Sequence, residues 1–101
     1  MNNTYSHFII VSKTLGQGVN YALKSIVTDK KLIKSIKQDK ESCLIISEKI
    51  LIRVILINFT ARAYRCDKVY TTKDISLRVY FEKVLPLLVN NDGKEKVVFI
   101  D

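Results

Sequence analysis

The chain has 101 residues, 17 Lys and Arg against 10 Asp and Glu, a formal net charge of +7 and 48% hydrophobic content. That is one domain, large enough to bury a core without metal or disulfide, and too apolar for a charged disordered tail. Three Gly, one Pro, one His and two Cys exclude collagen-like repeats, Gly/Pro-rich disorder and a zinc site built from Cys and His.

The N-terminus, MNNTYSHFIIVSKTLGQG, has no basic region, and its apolar run from Phe8 to Val11 is too short for a signal peptide. Tyr5, Phe8, Ile9, Ser12 and Leu15 fall at helical spacing until Gly16-Gln17-Gly18 weakens the pattern. Val19, Ala22, Leu23, Ile26 and Val27 resume it for about two turns. Thr28 or Asp29 then caps a further short helix with Leu32, Ile33 and Ile36 on one side. Lys30, Lys31, Lys34 and Lys37 take the other side, a stripe that Lys40 extends.

Residues 40–66 form the longest predicted helix, with Asp39 as its N-cap and no Gly or Pro inside it. Its apolar residues, from Leu44 to Phe59, go nearly all the way round, and a helix apolar on every side must be covered on every side. One short chain does not supply that cover, so the pattern implies a partner chain. The competing reading makes the Ile-rich start, residues 43–46, a strand and begins the helix at Ser47. The apolar stretch from Ile50 to Ala61 is interrupted by Arg53 and too short to cross a membrane. Cys43 and Cys66 fit no motif; they read as buried free thiols of a soluble intracellular protein, with a disulfide as the alternative.

Residues 67–71 are a short β-prone connector. Thr71-Thr72-Lys73-Asp74 matches a capping box with Asp in place of Glu. The helix after it buries Ile75, Leu77, Tyr80, Phe81, Val84, Leu85 and Leu88, is kinked or ended by Pro86, and stops at Asn90-Asn91-Asp92-Gly93. The tail KVVFID adds a short strand or stays disordered.

Short helix, long central helix, β-prone loop, capped helix: this order resembles the histone fold. Ile52-Arg53-Val54-Ile55-Leu56-Ile57 running into Ala61-Arg62-Ala63-Tyr64-Arg65, followed by Phe81-Glu82-Lys83-Val84-Leu85-Pro86-Leu87-Leu88, is similar to the centromere protein X family. The match covers residues 47–89. The Lys-rich segment 29–38 departs from the pattern, and the high charge keeps the centromere protein W family, which pairs with centromere protein T, as the alternative. The resemblance implies an all-α histone fold over residues 19–90, with a helical N-terminal extension (1–18) and a C-terminal tail (91–101). It implies an obligate heterodimer with a second histone-fold chain resembling centromere protein S. Its interface is drawn from Ile50, Val54, Ile55, Ile57 and Phe59 of the central helix and Leu77, Phe81, Val84 and Leu88 of the last. It further implies a nuclear, chromosomal location at the centromere and kinetochore, and a part in replication-fork DNA repair.

Charge supplies the function expected from the residues themselves. Residues 1–41 carry seven Lys and three acids, and residues 42–66 four basic residues and one acid; residues 67–101 are neutral. Lys30, Lys31, Lys34, Lys37 and Lys40 form one candidate DNA-binding group, and Arg62, Arg65, Lys68 and Lys73 a second. Neither suits base edges, so duplex DNA is expected to be held through its backbone. The rival of another class is a purely architectural subunit whose lysines serve solubility or face an acidic partner. The tyrosines are scattered and read as packing, and His7 has no Cys, Ser or Asp beside it to form a catalytic pair. No dinucleotide fingerprint, P-loop or nucleophile elbow occurs. The expectation is therefore a non-enzymatic protein without cofactor or metal.

Overall fold

Seven of the residues from Ile45 to Ile57 are β-branched, stiff at χ1 and suited to a pleated surface. In the computed structural model, which describes residues 5–57, 66–79, 84 and 97–100, they form two strands. The elements in order are β1 (Ser6–Ser12), α1 (Leu15–Tyr21), a π-helical turn (Ala22–Ile26) and a 3-10 turn (Lys30–Leu32). Then come β2 (Ile33–Gln38), β3 (Ser42–Ser47), β4 (Ile50–Leu56), β5 (Lys68–Thr72), α2 (Leu77–Val79) and β6 (Val97–Ile100).

The strands make one mixed six-stranded sheet in the order β2-β3-β4-β1-β5-β6. β1 is parallel to β4 on one side and to β5 on the other, and β6 continues the parallel set beyond β5. β2, β3 and β4 are an antiparallel meander. Alternation along β1, β4, β5 and β6 sends side chains to two cores, as the period of two requires. Ile10, Ile45, Ile52, Val54 and Tyr70 share one face with Ala22, Leu15 and Val19 of the helical segment. Ile9, Val11, Ile55, Val69 and Val97 share the other with Val84 and Ile75. Cys43 and Cys66 are free and buried in opposite cores, so no disulfide joins them. Burial pushes the Cys66 thiol up to about 12, which keeps it protonated and inert.

The turn from β1 into α1 is specified locally. Thr14 is the N-cap, its hydroxyl accepting from the Gln17 N–H at 3.1 Å, and Gln17 Oε1 accepts in return from the Lys13 N–H at 3.0 Å. This is a capping box displaced by one residue on its return arm. Gly18 lets the helix lie on the sheet: a Cβ there would sit 2.4 Å from Val54 Cγ1 and 2.8 Å from Ser12 Oγ. Between β3 and β4 the buried Ser47 hydroxyl accepts from the Ile50 N–H and donates to the Ile50 carbonyl, closing a turn on Glu48-Lys49.

The architecture overturns the expected all-α histone fold. The predicted central helix 40–66 is the β3–β4 hairpin over its described part, and the break falls at Ser47-Glu48-Lys49. Strands covered on both faces read as continuous apolar runs, and such a run cannot be told from a buried helix by period alone. The strand alternative at residues 43–46 is what forms, and it extends through β4. The helix expected over Tyr5–Leu15 is strand β1, so the segment set apart as an N-terminal extension supplies the central strand. The lysine helix is a 3-10 turn followed by β2. Thr71 and Thr72 are not a helix cap but the end of β5. Thr71 is buried, its hydroxyl unpartnered among the described residues. Ser76 instead accepts from the Val79 N–H at the start of α2. The tail adds strand β6, one of the two outcomes expected for it.

With the central helix goes the reason for a histone-fold partner. Val54 and Ile55 lie on opposite faces of β4 and are 0% and 2% exposed within the single chain. Val84 is likewise buried, and Ile50 and Ile57 are half-buried against the same cores. Phe59, Phe81 and Leu88 of the expected interface, and the Leu77 side chain, lie outside the described residues.

Candidate nucleic-acid interface

β2 is an edge strand, and an edge strand whose neighbour covers one side only has little to bury. Its sequence reflects this: of its six residues only Ile33 and Ser35 are half-buried, and the rest are exposed. Asp29 opens the approach, its carboxylate accepting from the Lys31 N–H at 3.0 Å to cap the 3-10 turn. Lys30 and Lys31 occupy that turn, and Lys34 falls where the β2–β3 register shifts between Ile33 and Ser35. Lys37 pairs in register with Leu44, and Lys40 sits in the turn that Asp39 closes by donating its N–H to the Ser42 carbonyl at 2.8 Å. The six residues of β2 span about 20 Å at ~3.3 Å per residue. The first lysine group thus runs the length of one sheet edge and past both its ends.

All five lysines are exposed, and none forms an ion pair among the described residues. The acids nearby, Asp29, Asp39 and Glu41, are exposed as well. Between the lysines stand Leu32, 44% exposed, and Ile36, 47% exposed. The helical reading placed these two on a buried side; the strand leaves them in solvent. Beside Leu32 opens a cleft of about 350 Å³, floored by Ile26, Val27, Leu32 and Ile50. Asp29, Glu48 and Lys49 also line it, Lys49 joining Lys30 and Lys31 at this end of the edge.

The second expected basic group is not brought to this edge. Lys68 begins β5, half-buried, with its ammonium 5.4 Å from the Tyr70 ring centroid, and Lys73 follows the other end of the strand. β5 stands four positions from β2, about 19 Å away at ~4.8 Å per strand. Arg62 and Arg65 lie outside the described residues.

The opposite part of the sheet carries charge of another kind. Leu15 and Val19, after β1, pack on one face of the sheet, and Ile75, after β5, packs on the other. Lys13, from the β1–α1 turn, and Asp74, after β5, form an ion pair between these two segments. The Lys13 hydrogen bond and charge hold the Asp74 carboxyl below its ordinary value. Sequence reasoning missed this pair, and nothing in the spacing of residues 61 apart announces it. The Thr14-x-x-Gln17 cap, by contrast, was a readable signal. Among the described residues no cluster of His, Cys, Asp and Glu suits a metal ion, and no helix is long and apolar enough to cross a membrane. Comparison with known proteins returns no match: no family pattern, no curated protein and no solved structure is significantly similar to the chain.

Proposed function

We propose that the chain is a non-enzymatic nucleic-acid-binding protein that neutralises backbone phosphates with Lys30, Lys31, Lys34, Lys37 and Lys40. The observation that carries this reading is a row of five exposed lysines on one sheet edge, none of them ion-paired among the described residues. Lysines on an edge strand also guard against edge-to-edge pairing. That use accounts for Lys34 and Lys37, which are in β2, but not for Lys30, Lys31 and Lys40, which lie beyond its ends. Unpaired ammonium groups are matched to phosphate, and displaced counterions then drive association. The kinetochore role, the histone-fold partner and the nuclear location came with a histone fold whose central helix the chain does not form, and they are no part of this proposal.

Charge reversal of Lys30, Lys31, Lys34 and Lys37 to Glu tests it. Wild-type affinity for nucleic acid should fall steeply with salt. The variant should bind weakly, its log–log salt slope flattened by about 0.9 for each duplex phosphate that is no longer neutralised. Unchanged affinity and slope would leave the lysines as a solvated edge and the chain as an architectural protein.

A further inference from the structure

Phosphate contact explains the lysines of the β2 edge but not the apolar surface set among them. A duplex presents sugar and phosphate outward, with its base faces stacked away from the protein. Docked on this edge, it would leave Leu32 and Ile36 against charged backbone and the 350 Å³ cleft without an apolar occupant. A single strand presents both things at once: a line of phosphates and unstacked bases whose faces are apolar.

Resting on the nucleic-acid reading of this edge, we infer that its ligand is single-stranded nucleic acid, with the backbone along Lys30 to Lys40 and one unpaired base in the cleft beside Leu32. The cleft chemistry suits a base. Ile26, Val27, Leu32 and Ile50 supply an apolar floor, and a cleft of this volume is within the range of small-ligand sites. Asp29 and Glu48 line the same cleft as acceptors, and carboxylates accept from the N–H groups on the pairing edge of an unpaired base, the thymine ring N–H among them, while they repel phosphate. Lys30, Lys31 and Lys49 stand at the same end to hold the flanking phosphates. Ile36 lies in the middle of β2, where a second base face meets it. Base selectivity is modest, because aliphatic contact favours no particular base.

The test compares four probes of matched charge by fluorescence anisotropy: oligothymidine, a duplex, an oligonucleotide whose sites are all abasic, and polyglutamate. Oligothymidine should bind at least about tenfold tighter than the other three, the equivalent of one base contact. Leu32→Ser combined with Ile36→Ser, both at exposed positions, should remove most of that advantage and leave duplex affinity unchanged. Equal binding of oligothymidine and the abasic strand, or no effect of the double variant, overturns the single-strand inference while the lysine proposal stands. Polyglutamate binding as tightly as oligothymidine overturns the inference in favour of an acidic peptide partner. Loss of binding to every probe in the lysine-to-glutamate variant is expected. Its absence would sink the lysine proposal itself.

Discussion

The parallel half of the sheet and the β2–β3 edge draw on the same residues, isoleucine, leucine and lysine, and put them to opposite uses. Around β1 both faces are covered: Ile9, Ile10 and Val11 are at most 3% exposed, and the charged residues of the neighbouring strands, Arg53 in β4 and Lys68 at the start of β5, are themselves half-buried. At β2 one side has no neighbour: Ile36 in the strand and Leu32 in the turn before it come to the surface, with Lys31, Lys34 and Lys37 next to them in the chain. The difference lies in coverage and not in composition. A strand flanked on both sides stores stability, whereas an edge strand offers a surface. Mutations should therefore separate the two regions, stability responding at one and binding at the other.

Ile52→Ala is expected to have the largest effect. The side chain is fully buried in the core under α1, so truncation should cost about 3 kcal/mol by urea denaturation. A loss under ~1 kcal/mol would mean β4 is not the covered strand described here. Gly18→Ala comes next. Alanine gains about 1 kcal/mol of helix propensity, but its methyl group meets Val54 and Ser12 well inside van der Waals contact. Overpacking of that kind costs about 1–3 kcal/mol, so a net destabilisation is expected and a stabilised variant would show that α1 does not lie so close. Charge reversal at Lys30, Lys31, Lys34 and Lys37 should shift stability by less than about 0.5 kcal/mol, since these side chains are exposed. A large loss there would erase the contrast between the regions.

The smallest effect concerns the Lys13–Asp74 ion pair. Asp74 has its carboxyl lowered from 3.8 by Lys13. A lowered folded value gives stability that is present above the unfolded value and lost as pH falls through the folded one. The small midpoint advantage of wild type over Asp74→Asn should vanish in strong acid, and its persistence there would place its source elsewhere.

What the sequence disclosed follows from which signals are local. The lysine row was legible because Lys30 to Lys40 are neighbours in the chain, whatever element carries them. The cores were legible as apolar positions, and the β-prone reading of residues 67–71 foreshadowed β5. The element type of residues 40–57 was not legible from period, because Ile45, Ile52 and Val54 pack in one core, Ile55 and Ile57 in the other, and Leu44 and Ile46 are apolar on the half-buried face of β3. Length was the better guide: the Ser47-Glu48-Lys49 interruption leaves runs of strand length on either side. The centromere protein resemblance inherited this error, since Ile52–Ile57 carried it as helix. Pairings distant in sequence, Lys13 with Asp74 and β1 with both β4 and β5, leave no local trace.

The most direct test is to follow the backbone amide resonances while oligothymidine is added. The nucleic-acid reading of the β2 edge requires perturbations concentrated on Asp29 to Lys40 and on Glu48 to Ile50, with Val69 to Thr72 and the Lys13–Asp74 ion pair unmoved. Perturbations centred on Lys13, Thr14 and Asp74 would move the functional site to the parallel half of the sheet and contradict the assignment made to the edge.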